Sequence, residues 1–128
     1  MPDILIVDDD DLARLALVKM VRNAGYTPVP LDNGDEAVRH YQNHPTAAVL
    51  LDLMISGTDG FEILRQLRAL DPQVNVIGMH VGEFTPEQIT DMSRFLGLRT
   101  ALLKPFSTAD LASTLRGVVP GASGSVAP

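Results

Sequence analysis

The chain predicts an open, doubly wound α/β fold: five parallel strands with helices on both faces of the sheet. Three observations carry this. Short β-rich apolar runs alternate five times with stretches of helical period, the pattern of successive βα units joined by right-handed crossovers. The run Ala47 to Leu53 is apolar enough to be buried on both faces, as central parallel strands are. The second run, Thr27-Pro28-Val29-Pro30-Leu31, carries two prolines that cannot donate to a ladder, which places it at a sheet edge. An edge second strand fits the flavodoxin-like order 2-1-3-4-5.

The elements follow in order. After Ile4-Leu5-Ile6-Val7, a first helix is predicted from about Leu12 to Ala24, with Leu17, Val18 and Val21 opposite Lys19 and Arg22, and Gly25 as its stop. A second helix follows Asn33-Gly34, turns Ala37, Val38 and Tyr41 inward, and ends before Pro45. The third strand leads into a turn at Ser56-Gly57-Thr58-Asp59-Gly60. A third helix then carries Phe61, Ile63, Leu64, Leu67 and Leu70 and stops at Asp71-Pro72. Val74 to Met79 reads as the fourth strand. Thr85-Pro86-Glu87 starts the fourth helix with a hydroxyl cap and a proline at its first position, and Gly97 is its expected C-cap. Residues 99–104 are the expected fifth strand and Ser107 to Val118 the last helix. Residues 1–119 are thus expected to form one domain, and 120–128, small and flexible in composition, a tail or linker stub.

Three strands end in charged groups. Val7 runs into Asp8-Asp9-Asp10-Asp11, Leu51 into Asp52, and Leu103 into Lys104-Pro105. Ligands of an open α/β sheet sit outside the carboxyl ends of its strands, so these acids and this lysine should converge on one site suited to a hard cation and a charged oxygen ligand. Asp10 and Asp11 are expected to serve the helix start, where the helix dipole favours negative charge. Asp59 and Gly60 are expected to serve the turn into the third helix.

Composition narrows the function classes. At 128 residues the chain supports one core, and without cysteine it has no disulfides. A formal charge of −6 without a Lys/Arg stripe argues against direct nucleic-acid binding. No apolar run approaches the roughly 20 residues of a membrane span. The N-terminus lacks the basic flank and apolar stretch of a secretory signal, so a cytoplasmic location is expected.

The stretches Ile4-Leu5-Ile6-Val7-Asp8-Asp9-Asp10, Leu50-Leu51-Asp52-Leu53-Met54 leading to Gly57-Thr58-Asp59-Gly60-Phe61, and Lys104-Pro105-Phe106 together resemble the receiver domain of two-component response regulators, over about residues 3–118. The resemblance implies that Asp52 accepts a phosphoryl group from a histidine on a sensor kinase or phosphotransfer protein. It implies that Asp8, Asp9, Asp52 and the backbone carbonyl of Met54 hold Mg²⁺. Lys104, by the same resemblance, pairs with Asp52 at rest and with the phosphoryl group afterwards, aimed inward by a cis Lys104-Pro105 bond. Downstream protein targets would dock on the face made by the fourth helix, fifth strand and fifth helix.

Two positions depart from that family. His80 stands at the end of the fourth strand where Thr or Ser is usual, and Ala101 stands where the fifth strand usually carries Tyr or Phe. His80 can still donate a hydrogen bond to a phosphoryl oxygen, or it can merely fill the position or face solvent. Val81 follows where a small residue is usual, so narrowed access to Asp52 and slow phosphoryl loss are expected. With Ala101 in the fifth strand, any signal is expected to run through the loop after His80, where Phe84 is the nearest aromatic, and the fourth helix; the alternative for Phe84 is ordinary packing over the sheet end. His40 and His44 are expected to face solvent.

The leading reading is therefore a signalling receiver that is not an enzyme beyond its own phosphotransfer and dephosphorylation. The alternative is a phosphorylation-independent interaction module. An Asp-x-Asp phosphatase is disfavoured because the chain leaves little room for a cap. A flavin protein is disfavoured because carboxylates stand where phosphate-binding hydroxyls and amides would be needed.

Overall fold

A computed structural model describes residues 1–55 and 60–119. The strands are β1 (Asp3–Val7), β2 (Thr27–Leu31), β3 (Ala48–Asp52), β4 (Val76–His80) and β5 (Leu98–Leu103). The helices are α1 (Asp11–Asn23), α2 (Gly34–Asn43), α3 (Gly60–Leu70), α4 (Pro86–Phe95) and α5 (Thr108–Val118). All pairings are parallel and the order is β2-β1-β3-β4-β5. The prolines of β2 face Ile4 and Ile6 of β1, and β2 has no second neighbour among the described residues, as two missing donors require.

Alternation along the central strands divides the core. Ile4, Ile6, Leu50, Ile77 and Met79 pack with Leu17 and Val21 of α1 and Leu111 and Leu115 of α5. Leu5, Val7, Val49, Leu51 and Val76 pack on the other face with Ala37, Ile63, Leu64, Leu67 and Met92 of α2, α3 and α4. Burying both faces of β1, β3 and β4 explains their unbroken apolar sequence. Tyr26, wholly buried, donates its hydroxyl to Val119 O at 3.1 Å and ties the end of α5 to the start of β2.

Several boundaries differ from expectation by one or two residues. β4 starts at Val76 because Val74 is held in the preceding turn, its N–H bonded to Asp71 O at 3.1 Å. It runs on to His80, so His80 belongs to the strand. β5 begins at Leu98, which pairs with Val76. The cap of α4 is Leu96, and Gly97 follows it at φ +75°, the left-handed position where glycine ends a helix at no steric cost. The Lys104-Pro105 peptide is cis, as expected. Most of the turn before α3, residues 56–59, and the expected tail, 120–128, lie outside the described residues.

Candidate functional site

Strand register builds the site. Val7 stands opposite Leu51, Asp52 opposite Met79, and His80 opposite Leu103. The residues that leave the sheet at one end are therefore Asp8, Asp52, His80 and Lys104. The ladder continues slightly beyond its strands: Asp8 N–H donates to Leu31 O at 3.2 Å, and Lys104 N–H to His80 O at 2.7 Å. These bonds hold Asp8 and Lys104 on regular backbone rather than on free loops.

One carboxylate oxygen from each of Asp8, Asp9 and Asp52 lies within 4.8 Å of the others. Asp8 is wholly buried, and both its oxygens are occupied. Its Oδ1 accepts from Asp10 N–H at 2.9 Å, and its Oδ2 accepts from Lys104 Nζ at 2.9 Å. Lys104 Nζ stands 3.9 Å from Asp52 Oδ2. Lys104 is thus paired with both acids, hydrogen-bonded to Asp8 and at longer range to Asp52, its expected resting partner. The reason Asp8 is the closer is solvation: an enclosed carboxylate needs a cation more than one open to water.

The Asp52 side chain keeps 16% of its surface exposed. Its Oδ1 accepts the Met54 N–H at 2.9 Å, leaving Oδ2 toward the lysine. Burial pushes the Asp52 carboxyl above its ordinary range. The Met54 bond and Lys104 pull the other way, while Asp8 and Asp9 add to the rise. Such a carboxylate is crowded by like charge and held at a fixed angle, the condition of a nucleophile that a cation would relieve.

The acid loop is braced by a residue that sequence reasoning passed over. Arg14 donates from Nη1 to Asp8 O at 2.9 Å and pairs through Nη2 with Asp11 at 2.6 Å. The Asp11-Arg14 spacing of i,i+3 was the available signal. Asp10 is the N-cap of α1, accepting from Leu12 N–H at 3.0 Å and Ala13 N–H at 3.3 Å, so it serves the helix as expected.

His80 does not face solvent; it is 7% exposed. Its Nδ1 accepts the Gly82 N–H at 3.2 Å, and an accepting Nδ1 leaves the ring proton on Nε2. The ring lies 5.7 Å from that of Phe84, which meets Phe61 edge-on at 5.5 Å. Ala101, opposite Gly78, packs against the same layer as these phenylalanines. Val81 is 68% exposed and lines a groove with α1 and Lys104. Away from the site, His44 is exposed, but His40 is half-buried and its Nδ1 is enclosed with no hydrogen-bond partner among the described residues, contrary to the expectation of a solvated side chain.

A family model for the response regulator receiver domain matches residues 4–116. The chain belongs to this family. As a receiver it is similar to transcriptional regulatory protein BaeR of Escherichia coli O6:H1, 29% identical over 92% of this chain but only 48% of that protein. The receiver thus spans about half the length of that relative. It is also similar to sporulation initiation phosphotransferase F of Bacillus subtilis, 32% identical over 91% of this chain and 93% of that one. Chemotaxis protein CheY4 of Vibrio cholerae superposes with a TM-score of 0.83, at 25% identity, over 93% of the receiver and 99% of its own chain. Receivers of this family are signalling modules of two-component systems rather than conventional enzymes. Among the described residues, no helix is long and apolar enough to cross a membrane.

Proposed function

We propose that this receiver takes a phosphoryl group onto Asp52 from a phosphohistidine on a sensor kinase or phosphotransfer protein, and signals through protein contacts. The carrying observation is Asp52 itself: one oxygen tied to the Met54 amide, the other 3.9 Å from an ammonium, within a cluster of three carboxylates. An Asp52 oxygen attacks phosphorus as the P–N bond to the donor imidazole breaks, and the imidazole leaves with a proton from its own ring or solvent. Lys104, already at the site, moves from Asp8 toward the added phosphoryl oxygens, a short displacement for a flexible stem. His80 Nε2–H is the donor standing in place of a hydroxyl.

The donor set fits Mg²⁺, since Asp8, Asp9 and Asp52 offer only hard carboxylate oxygens, and the Met54 carbonyl would complete the protein's share. When bound, the ion would offset the repulsion among the carboxylates and the charge on the phosphoryl oxygens.

Donor docking is supported by an apolar groove of about 510 Å³ beside Lys104, walled by Ala13, Leu17 and Met20 of α1 and by Phe106. A helix carrying the donor histidine and laid there would bring its imidazole to the open side of Asp52. The downstream target is assigned to the α4-β5-α5 side, where Leu103 is 56% exposed.

The test is intact mass after incubation with acetyl phosphate and Mg²⁺. One added phosphoryl mass, lost in Asp52→Ala and without Mg²⁺, supports the reading. No adduct, or one that survives Asp52→Ala, overturns it. A second reading, an interaction module independent of phosphorylation, rests on His80 and Ala101 and would be favoured by the absence of an adduct.

A further inference from the structure

Four of the ten basic residues of this acidic chain, Arg65, Arg68, Arg94 and Arg99, stand on α3, the end of α4 and the start of β5. Two of them, Arg65 and Arg68, line a slot of about 260 Å³ together with Phe61, Phe95 and Leu96. Phe95, the last residue of α4, is 72% exposed and Leu96, its cap, 43% exposed, while Met92 is the buried residue of that helix. Arg94 holds its guanidinium 5.9 Å from the Phe95 ring centre. Arg68 lies against Gly97 so closely that a methyl group there would fall 1.4 Å from its Nη1. Arg99 lines the adjoining groove with Gly97. Arg65 is engaged by Glu62, whereas Arg68, Arg94 and Arg99 form no ion pair among the described residues.

We infer that this slot between α3 and α4 binds a short acidic segment of a partner protein, with one large apolar side chain in the slot and flanking Asp or Glu on the arginines. Exposed aromatic and arginine side chains around a concave centre are the composition of binding hot spots. Arginine, with its planar fork, suits paired carboxylates better than lysine does. The slot is smaller than the roughly 300–1,000 Å³ of sites for drug-sized molecules and fits one side chain instead. The net charge of −6 disfavours nucleic acid, and the recessed apolar centre is the wrong shape for a bilayer surface. Phe61 also walls the neighbouring slot with Phe84, which touches His80, so the surface is contiguous with the phosphoryl-acceptor end. The inference does not require Asp52 to be phosphorylated.

The experiment is a selection of random 12-residue displayed peptides on the unphosphorylated wild-type protein, followed by affinity measurement on Phe95→Ser, Arg94→Glu and, as a control, Arg116→Glu. Phe95 and Arg94 are exposed, so both variants should fold, and circular dichroism checks this. The expected binders carry Asp or Glu around Leu, Phe or Trp. They weaken about ten-fold or more in each slot variant, keep their affinity in Arg116→Glu and in Asp52→Ala, and perturb amides of residues 65–70 and 94–99. Failure to enrich binders, or binders without acids or indifferent to both slot variants, overturns the inference. So does binding to phosphatidylserine vesicles, or self-association, that Phe95→Ser removes, since the occupant would then be a membrane or a second copy.

Discussion

Lys104 Nζ bonds Asp8 Oδ2 at 2.9 Å while standing 3.9 Å from Asp52 Oδ2. The lysine therefore neutralises the buried acid first and leaves Asp52, the proposed phosphoryl acceptor, less firmly paired. Its hold on Asp8 also competes with any cation drawn to the same oxygen.

Replacing Lys104 by Met should consequently tighten Mg²⁺ binding while lowering stability. The loss should be about 1–3 kcal/mol, below the range for wholly buried pairs because the lysine is 22% exposed. Calorimetric titration with Mg²⁺ and urea unfolding measure the two effects. Weaker Mg²⁺ binding in the variant would refute the competition.

Asp52→Asn should stabilise the Mg²⁺-free protein. Burial and the neighbouring carboxylates raise the folded pKa of Asp52 above its ordinary 3.8, so the folded state binds the extra proton. That contribution is present below the ordinary value and is lost as pH rises through the raised one. The gain in Tm from Asp52→Asn should thus be small in acid and grow toward neutral pH, reaching roughly 2–5 °C. Scanning calorimetry at a series of pH values tests this, and a variant less stable at pH 7 would contradict it.

Slow loss of the phosphoryl group is expected because Val81 stands where a small residue is usual and narrows access to Asp52. A time course of intact mass after removal of acetyl phosphate measures it. Loss within seconds would be incompatible with this expectation. His80→Ala should in addition free the Gly82 amide and the Phe84 ring, visible as shifted amide resonances over residues 80–84.

Gly60→Ala should destabilise strongly, by about 1–3 kcal/mol or more, because a Cβ at Gly60 would lie 2.5 Å from Leu53 O, a backbone atom that cannot turn aside. Urea unfolding reads the cost. An unchanged midpoint would mean that α3 can move away from β3.

Tyr41→Phe should cost about 1–2 kcal/mol through loss of the 2.7 Å hydrogen bond to Asp71, a bond to a charged acceptor. The same bond holds the Asp71 carboxyl below its ordinary range, so the variant should raise the Asp71 pKa, readable by carboxyl NMR titration.

What the sequence by itself determined is what local pattern encodes. Apolar runs with buried character on both faces, the prolines of β2 and the Thr85-Pro86 start of α4 specify five βα units and an edge, and with them the strand ends that carry Asp8, Asp9, Asp52 and Lys104. Each signal lies within one element, so no distant contact is needed to read it. Tertiary structure alone decided which carboxylate the lysine takes, since Asp8 and Lys104 lie 96 residues apart and meet only through the register of four strands. It also decided that β4 extends far enough to enclose His80, and that arginines from α3 and α4 gather around Phe95. Those outcomes depend on side-chain geometry and solvation at the ends of packed elements, where spacing along the chain carries no information about neighbours in space.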